Sequence, residues 1–442
     1  MCLQGKRVRY DVVIQRACNP RKLPQLPEGV PLLPEGALFL VSRVSGVPLE
    51  APLHFFMETA FSSIGSKRLR VRPSTYKGMA EDLVALYDFL DERQLVDMEV
   101  RKTDMDAYVD SMTQNISPVT GERYSHRTVK RRVSTMRSFY KWAQSKGKTK
   151  YRFDVGEVNA SSFKHHSTEK IAPDVLEPSS IAEDADVRAI NVDELARLLE
   201  AAGPSGIESI DVSRPDTNYV RRETTALRLK LECCLQAGLR RAEVTALLVK
   251  NVEAVTKGAS LSPLATYPVR TLRKGGQWKT VLIPGWLISS LAHYIGTERA
   301  RLIAAATERD PGLKDHGFLF IRSDRAGPGL RLHAKSLNDA FRNLQKGIGV
   351  IKQVAVSRNG KQLLESRPKY GVHSLRHTFA VHTYFARKAI GDAEPWKYLQ
   401  SQLGHANVET TKRIYLRIVD EHEAMAGAIL STMLKQRVFG HG

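Results

Sequence analysis

His373-Ser374-Leu375-Arg376-His377-Thr378-Phe379-Ala380 is the stretch on which the reading of this chain turns. On a helix, His373 and Arg376 stand three residues apart and share one face. Leu403-Gly404-His405 follows, and then Tyr415. A phosphodiester under attack by a phenol needs its developing charge neutralised, and a guanidinium does this bidentately without giving up its proton. The phenol must also lose a proton, and imidazole suits that work near neutral pH. A base, a clamp, a second imidazole and a nucleophile candidate thus lie within about forty residues.

Two upstream pieces add to this set. Ala237-Gly238-Leu239-Arg240-Arg241-Ala242-Glu243-Val244 closes an apolar helical run that contains Leu227, Leu231, Cys234 and Leu235. Further on, Gly275-Gly276 joins two alternating stretches between Arg273 and Pro284, the pattern of a β-hairpin with a cation at its tip. Arg273, Lys274 and Lys279 all qualify as that cation. Each residue also has a plainer reading when met alone. Arg240 beside Arg241 would decorate a helix end, and Tyr415 between Ile414 and Leu416 would pass for a buried aromatic. His377 and His382 read as packing or solvent histidines.

Taken in order, this set resembles the tyrosine recombinases, the phage-integrase family of site-specific DNA recombinases. The resemblance covers roughly residues 73 to 420 and implies a catalytic set of Arg240, Lys274, His373, Arg376, His405 and Tyr415, with Glu243 in support. It implies a mainly α fold with a small β-sheet: a helical core-binding domain linked to an α+β catalytic domain, forming a C-shaped clamp around DNA. The implied reaction cuts and rejoins DNA through a 3′-phosphotyrosyl intermediate and a Holliday junction, in integration, excision or transposition of a mobile element. Arg240 and Arg376 would hold the phosphate, Lys274 would protonate the leaving oxygen and His373 would accept the tyrosyl proton. No cofactor is implied, and no metal, since guanidinium groups supply the positive charge and no carboxylate cluster for two magnesium ions is present. The implied partners are double-stranded recombination sites, a homotetramer on two such sites, and accessory DNA-bending or partner recombinase proteins. The expected setting is bacterial, cytoplasmic and nucleoid-associated. The alternatives are a type IB topoisomerase-like activity and an inactive DNA-binding accessory protein of the same fold.

Two features depart from the family pattern. The interval from His405 to Tyr415 is ten residues, one longer than is usual. An added helical residue turns a side chain by roughly 100°. The stretch from Lys346 to Tyr370 is also long, and its alternating Val350, Lys352, Val354 and Val356 predict an extra hairpin.

Composition fits a polyanionic ligand: 67 Lys and Arg against 47 Asp and Glu give a net charge of +20. Such an excess favours DNA, RNA or an anionic membrane alike. No apolar run reaches the length of a membrane span, and no apolar stretch follows Met1 to Lys6 to make a signal peptide. Cys2, Cys18, Cys233 and Cys234 form no paired framework or zinc motif, which points to a reducing compartment.

The chain divides unevenly. Residues 1–72 are proline-rich and read as an N-terminal extension, an arm or accessory segment; 73–164 read as the helical core DNA-binding domain. Residues 165–190 read as the linker, 191–420 as the catalytic domain, and 421–442 as a C-terminal helix that covers its own domain or packs on a neighbouring protomer. Ser74 or Thr75 is expected to cap the first long helix, and Asn191 with Glu194 to form a capping box. From Arg127 to Arg152 there are ten basic residues and no acidic one. Arg127, Lys130, Arg131, Arg132, Arg137 and Lys141 oppose an apolar stripe of Val129, Val133, Met136, Tyr140 and Ala143, so this face is assigned to DNA.

Overall fold

The computed structural model describes residues 10–18, 33–61, 71–117, 120–149, 189–204, 225–258, 260–273, 276–324, 327–358, 361–405, 407–412, 414–416 and 419–420. Lys274, nearly all of the 165–190 linker and the 421–442 segment lie outside them. Two compact units divide the chain: residues 1–183 with 355–363, and 184–354 with 364–442. No helix among the described residues is long and apolar enough to cross a membrane.

The first unit begins with antiparallel strands β1 (Val12–Arg16) and β2 (Leu38–Ser42), paired Val12 to Ser42 and Arg16 to Leu38. Helices α1 (Glu50–Thr59), α2 (Pro73–Arg93), α3 (Lys102–Gln114) and α4 (His126–Ser145) follow. Leu40 of β2 and Phe55 and Phe56 of α1 enter the same core as Leu83, Tyr87, Tyr108, Phe139 and Tyr140. Phe55 meets Phe139, and Phe56 meets Tyr76, edge to face. The described part of the proline-rich segment is therefore built into the helical unit.

Helix α2 starts differently from the sequence expectation. Pro73 takes the first helical position after Arg72, where a missing N–H costs nothing, so Ser74 and Thr75 are not needed as caps. Helix α4 is capped by Ser125, whose hydroxyl accepts from the Thr128 N–H at 3.3 Å.

Its basic face is partly committed inside the unit. Arg131 lies 2.7 Å from the buried carboxylate of Asp82 on α2 and also donates to the Gly78 carbonyl. Arg132 sits 3.9 Å from Asp82 and covers the Tyr124 ring at 4.3 Å. The acid missing from the α4 sequence is supplied by a neighbouring helix. Arg127, Lys130 and Lys141 are exposed and Arg137 is half-buried.

The second unit comprises α5 (Val192–Ala201), α6 (Thr225–Gln236), α7 (Arg241–Val244), α8 (Val249–Thr256), the hairpin β3 (Thr266–Leu272) and β4 (Trp278–Pro284), and α9 (Gly285–Tyr294). It continues with α10 (Ala300–Arg309), α11 (Ala334–Gly347), the strands β5 (Ile351–Arg358) and β6 (Lys361–Pro368), α12 (Val372–Ala389) and α13 (Pro395–Leu403). The expected extra hairpin is thus present as β5 and β6, and residues 355–363 at its distal end group with the first unit. Leu229, Leu231, Cys233, Cys234, Ile283, Leu287, Phe341 and Leu375 form the main core of the second unit. Asn191 caps α5 by accepting from the Asp193 N–H at 2.9 Å. Glu194 makes no capping box, because Lys369 at 2.8 Å and the Tyr370 hydroxyl at 2.6 Å draw its carboxylate away.

Burial sets the ionisation of Asp82. It raises the carboxyl to about 6, outweighing the Thr135 hydroxyl and both arginines, which act the other way. The unfolded value is about 3.9. A raised folded pKa means that stability from the neutral acid is complete below about pH 4 and is lost as pH rises through about 6. Asp82→Asn mimics the neutral acid. Its unfolding free energy should therefore gain on the wild type between about pH 4 and about pH 6 and then level off. Urea unfolding across that window tests this, and a flat difference curve would refute it.

Candidate active site

The site forms where α7, β3, α12 and the end of α13 meet. Helix α6 stops at Gln236, and Gly238 turns the chain with φ +62°. A Cβ there would come within 2.6 Å of the Phe379 ring, so only glycine fits this passage. The turn delivers Arg240 to the N-terminus of α7. Its backbone N–H donates to Glu243 Oε2 at 2.9 Å and its Nη1 to Oε1 at 2.8 Å, so one carboxylate holds both ends of the residue.

Helix α13 ends at Leu403 because Gly404 adopts the left-handed conformation, φ +66°. Its last carbonyls are left without intrahelical donors and form the negative end of the helix dipole. Three arginines use them. Arg376 Nη2 and Arg273 Nη1 each reach the Leu403 carbonyl at 2.7 Å, and Arg240 Nη1 reaches it at 3.4 Å. Arg273 Nη2 adds the Gln402 carbonyl at 2.7 Å, and Arg376 Nη1 donates to the Gly238 carbonyl. Gly404 is required twice over, since a Cβ would meet Arg273 Nη1 at 2.8 Å. The Gln402 side chain clasps β4, accepting from the Leu282 N–H at 3.1 Å and donating to its carbonyl at 2.7 Å.

One buried carboxylate balances these cations. Glu243 lies 2.8 Å from Arg240, 3.5 Å from Arg273 and 3.9 Å from Arg376. Three positive groups against one negative leave two charges unmatched. Burial, then Arg240, lowers the Arg376 guanidinium to about 10, and burial also lowers Arg273. Both remain protonated near neutrality, so the site is poised for an anion.

The imidazoles are held neutral. His405 and His377 are pulled to about 3 and His373 to about 4, in each case by burial and then by nearby cationic or imidazole groups. His373 keeps part of its surface in solvent, and Arg376, Arg240 and Arg241 add to the shift that burial begins. Arg376 Nη2 lies 3.3 Å from His405 Nε2 and can only donate, which assigns the His405 proton to Nδ1. Nδ1 lies 2.9 Å from the hydroxyl of buried Thr411.

Tyr415 packs with Phe379, Tyr384, Leu399 and Leu403 and is 1% exposed. Burial raises its hydroxyl, with Arg376 opposing. Its oxygen lies 3.2 Å from His377 Nδ1, and its ring lies parallel to that of His405 with centroids 6.4 Å apart. The long interval is accommodated by a fresh helix start: Asn407 Oδ1 accepts from the Thr410 N–H at 2.8 Å. Thr411 then meets His405, and Tyr415, four residues on, meets His377.

Arg240, Glu243, His373, Arg376, His405 and Tyr415 therefore come together. Lys274 lies outside the described residues, and the six basic residues of α4 belong to the first unit. The structure adds Arg273, His377 and Thr411. His377 carried a signal in its spacing, one helical turn after His373. Arg273 carried none that separated a buried anchor from an exposed hairpin cation.

A phenol seated among guanidiniums with an unmatched positive charge can meet an anion at its own oxygen. Residues 210–422 match the model of the phage integrase family. No curated protein matches the chain. Among solved structures it is similar to the XerH site-specific recombinase bound to palindromic difH substrate in a post-cleavage complex, at 17% identity over 80% of each chain and a TM-score of 0.48. It is similar to the Tn1549 transposon integrase in complex with a circular intermediate DNA, at 17% identity over 78% of this chain and 90% of that one, TM-score 0.43. A lambda integrase dimer bound to a COC′ core site gives 13% identity over 78% of this chain and 72% of that one, TM-score 0.42.

Because Glu243 is the only carboxylate among these three arginines in the described residues, Glu243→Gln should cost about 3–5 kcal/mol of stability, the usual penalty for leaving buried charge uncompensated. Denaturant unfolding of the whole chain measures it. A loss below about 1 kcal/mol would mean that the helix end alone carries the cluster.

Proposed function

We propose that the protein is a site-specific DNA recombinase that cuts and rejoins duplex DNA through a covalent link between Tyr415 and a backbone phosphate. The observation that carries this reading is the placement of the Tyr415 hydroxyl in one cluster with Arg240, Arg376 and His405. In the proposed reaction the phosphate enters between Arg240 and Arg376, whose remaining N–H groups hold its nonbridging oxygens. This electrostatic stabilisation is the largest contribution expected in such a site. Tyr415 attacks, a sugar hydroxyl leaves, and the energy of the phosphodiester is retained in the phosphotyrosine, so no external nucleotide is consumed. Lys274 is assigned the proton donated to the leaving oxygen. By family resemblance the tyrosyl proton would pass to His373, whereas the hydrogen bond of the Tyr415 hydroxyl is made to His377.

His405 is assigned as a further donor to the phosphate. Its Nε2 faces Arg376 as an acceptor. Donation through Nε2 requires the other tautomer, and the Thr411 hydroxyl, which donates or accepts equally well, supports both. Strand exchange then requires the freed hydroxyl of a second duplex to attack the phosphotyrosine. That requirement calls for several protomers on two DNA sites, a tetramer by family resemblance, in the service of integration, excision or transposition.

Loss of the attacking oxygen alone should separate chemistry from binding. Tyr415→Phe should give no SDS-stable adduct with DNA while its affinity for duplex stays within about threefold of wild type, close to RT in free energy. An adduct persisting in that variant would assign the nucleophile elsewhere.

The exposed part of α4 should engage phosphates, which position a protein without specifying sequence. Arg131 is a poor probe because Asp82 already engages it. Replacing the exposed Arg127 and Lys141 together by Ala should weaken binding to all duplexes. It should also flatten the dependence of log affinity on log salt by ~0.9 for each phosphate no longer neutralised. An unchanged slope would show this face to be solvated surface.

A further inference from the structure

We propose that His377 is a catalytic residue, taking the phenolic proton of Tyr415 as its oxygen attacks phosphorus and returning that proton when the strand is rejoined. The proposal rests on the assignment of Tyr415 as nucleophile.

Three observations carry it. His377 Nδ1 lies 3.2 Å from the reacting oxygen, whereas no hydrogen bond joins His373 to Tyr415 among the described residues. Both partners are shut away from water, His377 at 6% and Tyr415 at 1% exposure, so bulk solvent has poor access to that proton. His377 is also rigidly placed, on α12 directly after Arg376 and one turn after His373. The His373 ring stands edge-to-face against it with centroids 4.5 Å apart, and it is His373 that is exposed.

The step balances. The bond from Tyr415 oxygen to phosphorus forms, the bond from phosphorus to the sugar oxygen breaks, and the phenolic proton moves to His377 Nδ1. The departing sugar oxygen takes its proton from a different acid, for which Lys274 is the assigned group. In rejoining, the incoming hydroxyl gives up its proton to that second group, and the tyrosyl oxygen recovers its own from His377. A buried imidazole that stores the proton for the life of the covalent intermediate needs no path to solvent.

The groups facing His377 make this transfer conditional. They are His373 and Arg376 on its own helix, His405 after α13, and Tyr415. Before DNA binds, burial and these neighbours make an imidazolium unfavourable, with a pKa of about 3. A bound phosphate brings the negative charge that the arginine cluster lacks, and the same imidazole becomes a better base. The phenol is thus kept protonated until DNA is in place.

The test uses the full chain and nicked suicide DNA substrates, in which the scissile bond is to oxygen or to a bridging sulfur. A sulfur leaving group departs without protonation, so it rescues the loss of a general acid but not the loss of the group that activates the nucleophile. His377→Phe removes the nitrogens, and His377→Asn keeps a hydrogen-bond acceptor without basicity. Both should lower the single-turnover rate of adduct formation at saturating DNA by about 10²–10⁴-fold on both substrates. Melting temperature and DNA affinity should stay near wild type. Lys274→Ala should be slow on the oxygen substrate and rescued on the sulfur one. Three results would overturn the proposal: variant rates within about threefold of wild type, rescue of the His377 variants by sulfur, or restoration of the rate by Asn, which would reduce His377 to a positioning role. If His377→Phe fails to fold, His377→Asn decides alone. An adduct formed by Tyr415→Phe would instead overturn the nucleophile assignment itself.

Discussion

Three guanidinium groups converge on the carboxyl end of one short helix, and the geometry of the site follows from that crowding. Two like charges about 4 Å apart repel by about 4 kcal/mol at the effective dielectric of a protein surface. The α13 dipole and Glu243 offset this repulsion, the dipole by at most ~2 kcal/mol. The Leu403 carbonyl can serve Arg240, Arg273 and Arg376 together only because Gly404 turns away in a conformation open to glycine and leaves room for Arg273. What the protein does not neutralise is left for an incoming anion. An anion that enters there would meet donors already in place, the arrangement that preorganised electrostatic stabilisation requires.

The same excess of positive charge governs the protons. Neutral imidazoles at His373, His377 and His405 follow from burial and from the arginines, so none of them adds to the cationic field that meets the DNA. The phenol stays protonated because burial opposes its anion more than Arg376 favours it. An added negative charge would favour protonation of the imidazoles and oppose a free phenolate at Tyr415, so the phenol keeps its proton until that proton has an acceptor.

The elements, and residues that the fold brings together, are legible in one dimension; the pairings that cross between elements are not. Local patterns were legible: the apolar stripe and Ser125 cap of α4, the β3–β4 hairpin around Gly275-Gly276, and the extra β5–β6 hairpin each have a period or a turn that shows in one dimension. The failures were tertiary. Glu194 had the spacing of a capping box, yet Lys369 and Tyr370, distant in sequence, offered it stronger partners. The basic run of α4 looked unpaired because the acid that engages Arg131 sits on α2. Arg273 resembled an exposed hairpin cation and is instead one of the buried anchors of the cluster. His377 reads in one dimension as a packing or solvent histidine, and packing is what places its nitrogen on the Tyr415 hydroxyl.

The interval between His405 and Tyr415 illustrates what fixes the place of a buried side chain in such a fold. Counted along an ideal helix, one extra residue swings the side chain by roughly 100° and would carry the phenol out of the site. The interval is not a single helix, because the chain leaves α13 through Gly404 and starts helix again beyond Asn407. The new helix is free to choose its own phase, and apolar packing chooses it: Tyr415 and Val419, four residues apart, both enter the cluster of Phe379, Tyr384, Leu399 and Leu403. Burying an aromatic ring stabilises by about 1.5–3 kcal/mol, more than the conformational adjustment of a capped turn. The position of the hydroxyl is therefore set by where the ring can be buried, and the residue count between the two motifs is left to adapt.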